Sequence, residues 1–151
     1  MALIKGTSFD DVYWTTVLKN VQTILYSEFT YGKIYIAPEI QHIEPFTIRL
    51  WGPLADTEAL MAIEWHKTYT VDVSIYSIEK NPTEKFYEQL YIDSERVYQS
   101  LFDNTTSTVG NGWWDGKVGS ITYNEYEGNE AEIDGLQKIS MDFTCVSGRG
   151  S

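Results

Sequence analysis

The segment Trp113-Trp114-Asp115 is the part of this 151-residue chain whose side chains most suggest recognition chemistry. Exposed tryptophans beside a carboxylate can stack on a sugar ring, but large aromatics entering a strand also anchor cores and subunit interfaces. No second aromatic platform is identifiable at a matching distance, so the core or interface reading is preferred. His42 and His66 are the only histidines. One sits in a loop flanked by Glu and Pro and the other in the solvent register of a strand, and neither has the convergent partners a metal needs. Cys145, the single cysteine, lies in the strand-like run Met141–Val146, and nothing marks its thiol as an activated nucleophile. The carboxylates Asp10 and Asp11 suit a helix start, and the acidic stretch from Glu127 to Asp134 suits a solvated turn, better than either suits acid–base work. Gly110-Asn111-Gly112 lacks the lysine and the strand–helix setting of a phosphate loop, and no nucleophile elbow occurs. The expectation is a protein that is not an enzyme, with no cofactor and no metal.

The elements that would position these residues can be read from periodicity. Trp14, Val17, Leu18, Val21, Leu25 and Phe29 recur at three- and four-residue intervals, predicting an amphipathic helix over 10–29 capped by Ser8 or Asp10. Tyr31-Gly32 ends it. Lys33 to Ala37 reads as a short strand stopped by Pro38, and Phe46 to Trp51 as a second strand stopped by Gly52-Pro53. The stretch Leu54 to Ile63 is open between helix and loop. From Trp65 to Ile75 apolar and polar residues alternate, predicting a long strand with one buried and one wet face. Asn81, Pro82 and Glu84 carry three helix-start signals, so a helix is expected over 82–102 with Phe86, Leu90, Val97 and Leu101 on one stripe and Tyr87, Tyr91 and Tyr98 beside it. Strands at 118–126 and 136–146 close the chain around the acidic turn, and residues 147–151 read as a flexible tail. The fold class is therefore α+β, a single domain over 1–151: a mostly antiparallel sheet with two amphipathic helices packed on one face.

Composition bounds the partners. The formal charge of −11 opposes general nucleic-acid binding and attachment to an anionic membrane. The first residues lack a long apolar region, so no secretory leader is expected, and no run approaches the ~20 apolar residues of a membrane span. Eleven tyrosines, five tryptophans and six phenylalanines make the chain unusually aromatic. Strand propensity accounts for many of these rings, and protein interfaces for the rest.

The helix at Tyr13–Phe29, the strands at Phe46–Trp51 and Trp65–Ile75, the helix at Pro82–Phe102, and the closing strands with Lys117-Val118-Gly119-Ser120-Ile121 and Ile139-Ser140-Met141-Asp142-Phe143 follow one another in an order that resembles the tail terminator proteins of tailed phages, also described as tail completion or head–tail joining proteins. The resemblance covers nearly the whole chain and rests on element order, size and texture. It implies a virion structural protein of the tail or neck, assembled in the host cytoplasm as a homo-oligomeric ring, usually a hexamer. Its implied partners are further copies of itself, the tail tube protein and the head-closure protein, with DNA passing through unbound. Glu125, Glu127, Glu130, Glu132 and Asp134 are candidates for a lumen-facing acidic hairpin, and Trp113, Trp114, Tyr87, Tyr91 and Tyr98 for interface aromatics. The alternatives are another neck or stopper protein and, from a different class, a carbohydrate-binding module using Trp113 and Trp114.

Overall fold

The first helical segment begins at Asp11, whose carboxylate accepts the Trp14 N–H at 3.2 Å and the Thr15 hydroxyl at 2.9 Å. The computed structural model describes residues 11–30, 32–36, 46–57, 66–79, 81–106, 112–125 and 136–148. The expected caps Ser8 and Asp10 lie outside them. Val12–Leu18 is a π-helix that passes directly into α1, Lys19–Glu28. The wider π turn changes which residues face inward. Val12, Thr16, Val17 and Leu18 are buried while Trp14, expected on the apolar stripe, is 47% exposed. Beyond the π segment the 3.6-residue period resumes, and Val21, Leu25 and Phe29 are buried as expected.

Five strands form one sheet in the order β1-β2-β3-β5-β4, with β1 Lys33–Ile36, β2 Phe46–Asp56, β3 His66–Ile78, β4 Trp114–Glu125 and β5 Leu136–Gly148. Three neighbouring pairs are antiparallel, and β1–β2 is parallel. Cross-strand register sorts the side chains into rows. Ile34, Ile48, Ile75, Ile139 and Tyr123 share one row, and Ile36, Leu50, Val73, Met141 and Ile121 the next. These rows form the core face, on which the first helical segment and α2, Glu84–Phe102, both pack. The other face carries rows such as Arg49, Ser74, Ser140 and Thr122, giving the one-sided α+β layer expected from the sequence.

Several boundaries differ from expectation. Strand β2 does not stop at Gly52-Pro53 but crosses it through a register shift between Trp51 and Leu54. Residues 54–56 therefore belong to a strand. The bulge accommodates a proline because its missing N–H falls outside the regular ladder. Helix α2 begins at Glu84 with Thr83 as N-cap and no side-chain cap, so the Asn81–Glu84 capping box is not formed. Pro82 precedes the cap rather than opening the helix. Ser147 and Gly148 lie in β5, not in a tail, and the Ser147 hydroxyl donates to the Gly112 carbonyl at 2.8 Å.

The two helices are joined by Arg96. Its guanidinium reaches Glu28 Oε1 at 2.9 Å and the Glu28 carbonyl at 2.8 Å, and it lies 4.6 Å from the Phe29 ring centre. A planar cation at the C-terminal end of α1 satisfies a last-turn carbonyl and complements the helix dipole. Asp93, 3.7 Å from the same guanidinium, accepts the Gln89 amide at 2.9 Å. Buried Asp93 is thereby paired in place.

Candidate functional site

The tandem tryptophans part at the entrance to β4. Trp113 is 1% exposed, stands edge-on to Phe143 at 5.6 Å and donates its indole N–H to the Asn104 carbonyl at 2.9 Å. Alternation sends Trp114 the other way, to the surface. Asp115 takes a positive φ of 55°, and the Gly116 N–H donates to the Thr105 carbonyl at 2.9 Å. A Cβ at Gly116 would meet Phe143 and Thr105 at 2.9 Å, so only glycine fits this close crossing. Trp113 is thus a core residue and not an interface aromatic, and the pair cannot form a double stacking platform.

The tyrosines of α2 separate by exposure. Tyr87 and Tyr98 are half-buried, the first edge-on to Phe86 at 5.4 Å and the second 6.0 Å from Phe102. Tyr91 is 50% exposed and its ring lies 4.8 Å from that of Tyr123. Tyr123, itself surface-exposed, exchanges a hydroxyl hydrogen bond of 3.0 Å with Ser94. Both rings line a groove of about 110 Å³ together with Leu90 and Ile139. Tyr123 was missed as a site residue. The available signal was its odd position in the closing strand, which puts it on the helix side of the sheet.

The acidic hairpin candidates fall mostly outside the described residues: Glu127, Glu130, Glu132 and Asp134 lie there, and Glu125 is the last residue of β4. A different carboxylate pair is visible. Asp72 and Asp142 stand directly opposite each other across β3 and β5, in a row with exposed Trp51. Partial burial, and then the neighbouring Asp72 charge, raise the Asp142 carboxyl above its ordinary value. The Ser74 hydroxyl donates to Asp72 at 3.0 Å.

Cys145 is fully buried opposite Tyr69, and burial pushes its thiol up to about 12, away from the thiolate a nucleophile needs. His66 opens β3 and pairs in register with Gly148, and His42 lies outside the described residues. Among the described residues no group of three or more His, Cys, Asp or Glu is placed to hold a metal. No described helix is long and apolar enough to cross a membrane.

Tyrosine also closes defects in the sheet. The Tyr13 hydroxyl lies 2.7 Å from the Thr70 carbonyl and 2.8 Å from the Leu54 carbonyl, and accepts the Leu54 N–H at 3.2 Å. It fills the bulge left by Gly52-Pro53. Burial, more than any other cause, raises its ionisation above the ordinary value. At the sheet edge the Tyr26 hydroxyl accepts the Ile34 N–H at 3.3 Å, and Gln22 donates to the Ile34 carbonyl at 2.8 Å. Because an N–H has one hydrogen, the Ile34 donor is committed to α1 and is no longer available to another strand.

No protein-family model matches the chain, and comparison with curated proteins returns no match.

Proposed function

We propose that this protein is a phage tail terminator: a structural subunit that assembles with copies of itself into a ring, caps the tail tube and joins it to the head connector. The observation that carries the assembly reading is the Tyr91–Tyr123 pair, two rings in contact at a tilt of 35° and left substantially solvent-exposed on a single subunit. Exposed tyrosines of this kind supply large contact area at low entropic cost when a partner covers them. The phage reading is supported by the order of elements: helix, one short strand, two long strands, helix, then a closing strand pair. The net charge of −11 also suits a channel through which DNA must slide without sticking. In this reading the virion neck is the site of action, and the partners are sister subunits, the tail tube protein and the head-closure protein.

The burial of Trp113 leaves Trp114 without its twin, which weighs against a tandem-tryptophan glycan site. Immunogold labelling of the tailed particles that carry the chain tests the proposal. Label concentrated at the head–tail joint is expected, and label confined to the capsid shell or the tail tip would reject it.

A further inference from the structure

A sheet of five strands has two edges, and most of their length in this molecule is blunted. On one side Gln22 and Tyr26 engage both polar groups of Ile34 in β1. Beyond β1 the exposed stretch of β2 contains Pro53, which has no N–H, inside a register shift. On the other side β4 begins with two register shifts, between Trp114 and Lys117 and between Val118 and Ile121. There the Gly116 N–H is taken by Thr105. These are the devices by which sheets avoid pairing with other chains.

One stretch lacks them. From Ile121 to Glu125, β4 pairs in unbroken register with β5, Met141 back to Gln137. Among the described residues nothing bonds to its outer edge. It also carries little charge for an acidic chain: between Gly116 and Glu125 the charged residues are Lys117 and Glu125. Two copies paired antiparallel over Ile121–Glu125 set their Glu125 residues at opposite ends of the contact, so few like charges meet across it. Tyr123, with the Tyr91 ring tilted against it, adds an exposed aromatic surface at the same edge.

We infer that the Ile121–Glu125 edge pairs antiparallel with the same stretch of a second copy, giving a two-fold dimer with a continuous ten-stranded sheet. The occupant is a second copy and the edge is its own β4, because the other described edges are blunted. Antiparallel pairing keeps both sets of helices on one face and brings the Tyr91–Tyr123 pairs of the two copies toward each other. The inference rests on the self-assembly reading, and it goes beyond that reading. A cyclic ring is closed by head-to-tail contacts, which a two-fold pair is not, so the dimer is a form of the subunit outside the ring.

Hydrogen–deuterium exchange of the full chain, measured at dilute and concentrated protein alongside native mass spectrometry, tests this. The expected result is a two-subunit species whose residues 121–125 exchange roughly tenfold or more slowly at high concentration. Thr122→Asp, which sets an added negative charge near its own symmetry mate while leaving the backbone free to pair with β5, should return the protein to a monomer and abolish the protection. Slow exchange at 121–125 that is independent of concentration would overturn the pairing, because the chain's own residues would then cover the edge. A ring-sized species with no two-subunit form would overturn the two-fold contact and leave the ring reading intact. A chain that stays monomeric at every concentration would overturn both.

Discussion

Replacing Gly52 with alanine should destabilise the protein through a single tyrosine, and removing that tyrosine should abolish the cost. A Cβ at Gly52 would lie 2.6 Å from Tyr13 Cε1, 2.7 Å from Cζ and 2.8 Å from the hydroxyl oxygen, where ordinary contacts are 3.4–4 Å. The backbone itself is no obstacle, since the only positive-φ residues described are Gly32 and Asp115. The ring must therefore retreat by roughly an ångström, and its hydroxyl then loses the Leu54 and Thr70 backbone groups. Overpacking together with a part-buried carbonyl left unpaired costs about 1–3 kcal/mol. Tyr13→Ala alone removes a half-buried ring that stands edge-on to Tyr69 at 4.8 Å, costing about 2–3 kcal/mol, below the range for a fully buried aromatic. In that background the three atoms nearest the new Cβ are gone, and Gly52→Ala should cost little, or gain a few tenths by stiffening the unfolded chain. Urea unfolding of the wild type, both single variants and the double variant gives the coupling directly. About 1–3 kcal/mol of non-additivity is expected. Additivity within about 0.5 kcal/mol would refute the idea that Tyr13 plugs the bulge at Gly52.

Four further outcomes are expected. Cys145 keeps its proton in the folded state up to about 12 while an unfolded thiol ionises from about 9, so between these values the unfolded chain binds fewer protons and stability falls as pH rises. The gap corresponds to roughly 4 kcal/mol at most, and Cys145→Ala should flatten the decline in unfolding curves taken from pH 9 to 12. Trp113→Ala should cost about 3–5 kcal/mol, and Trp114→Ala much less, as measured by thermal unfolding. Arg96→Ala should cost about 1–2 kcal/mol by freeing the end of α1, and Arg96→Lys should restore only part of it because an ammonium cannot reach Glu28 through two separated donors while stacking on Phe29; urea midpoints decide. NMR titration should place the Asp142 carboxyl above its ordinary value, and Asp72→Asn should bring it down by removing the facing charge.

Strand β3 was legible because Tyr69, Val71, Val73 and Ile75 alternate with polar residues, and the folded chain buries all four. The same holds for Leu90, Val97 and Leu101 on α2. What periodicity could not convey was any departure from the standard periods. Trp14 fits a 3.6-residue stripe on paper, yet a π turn rotates it outward. Gly52-Pro53 carries a stop signal, yet a bulge plugged by Tyr13, which lies about forty residues away in sequence, lets β2 continue. Buried Asp93 and Ser94 interrupt the apolar stripe of α2, and their partners Gln89, Arg96 and Tyr123 are settled only by tertiary packing. Trp113 and Trp114 have the same residue type but opposite fates, set by strand alternation and by the crossing of Thr105 over Gly116.

Sedimentation velocity over a wide range of protein and salt concentrations tests most directly whether this molecule is built to assemble. Closed multiples of the 17.3 kDa subunit, growing as salt screens the acidic repulsion, are predicted. A single 17.3 kDa species at every protein and salt concentration would contradict the account.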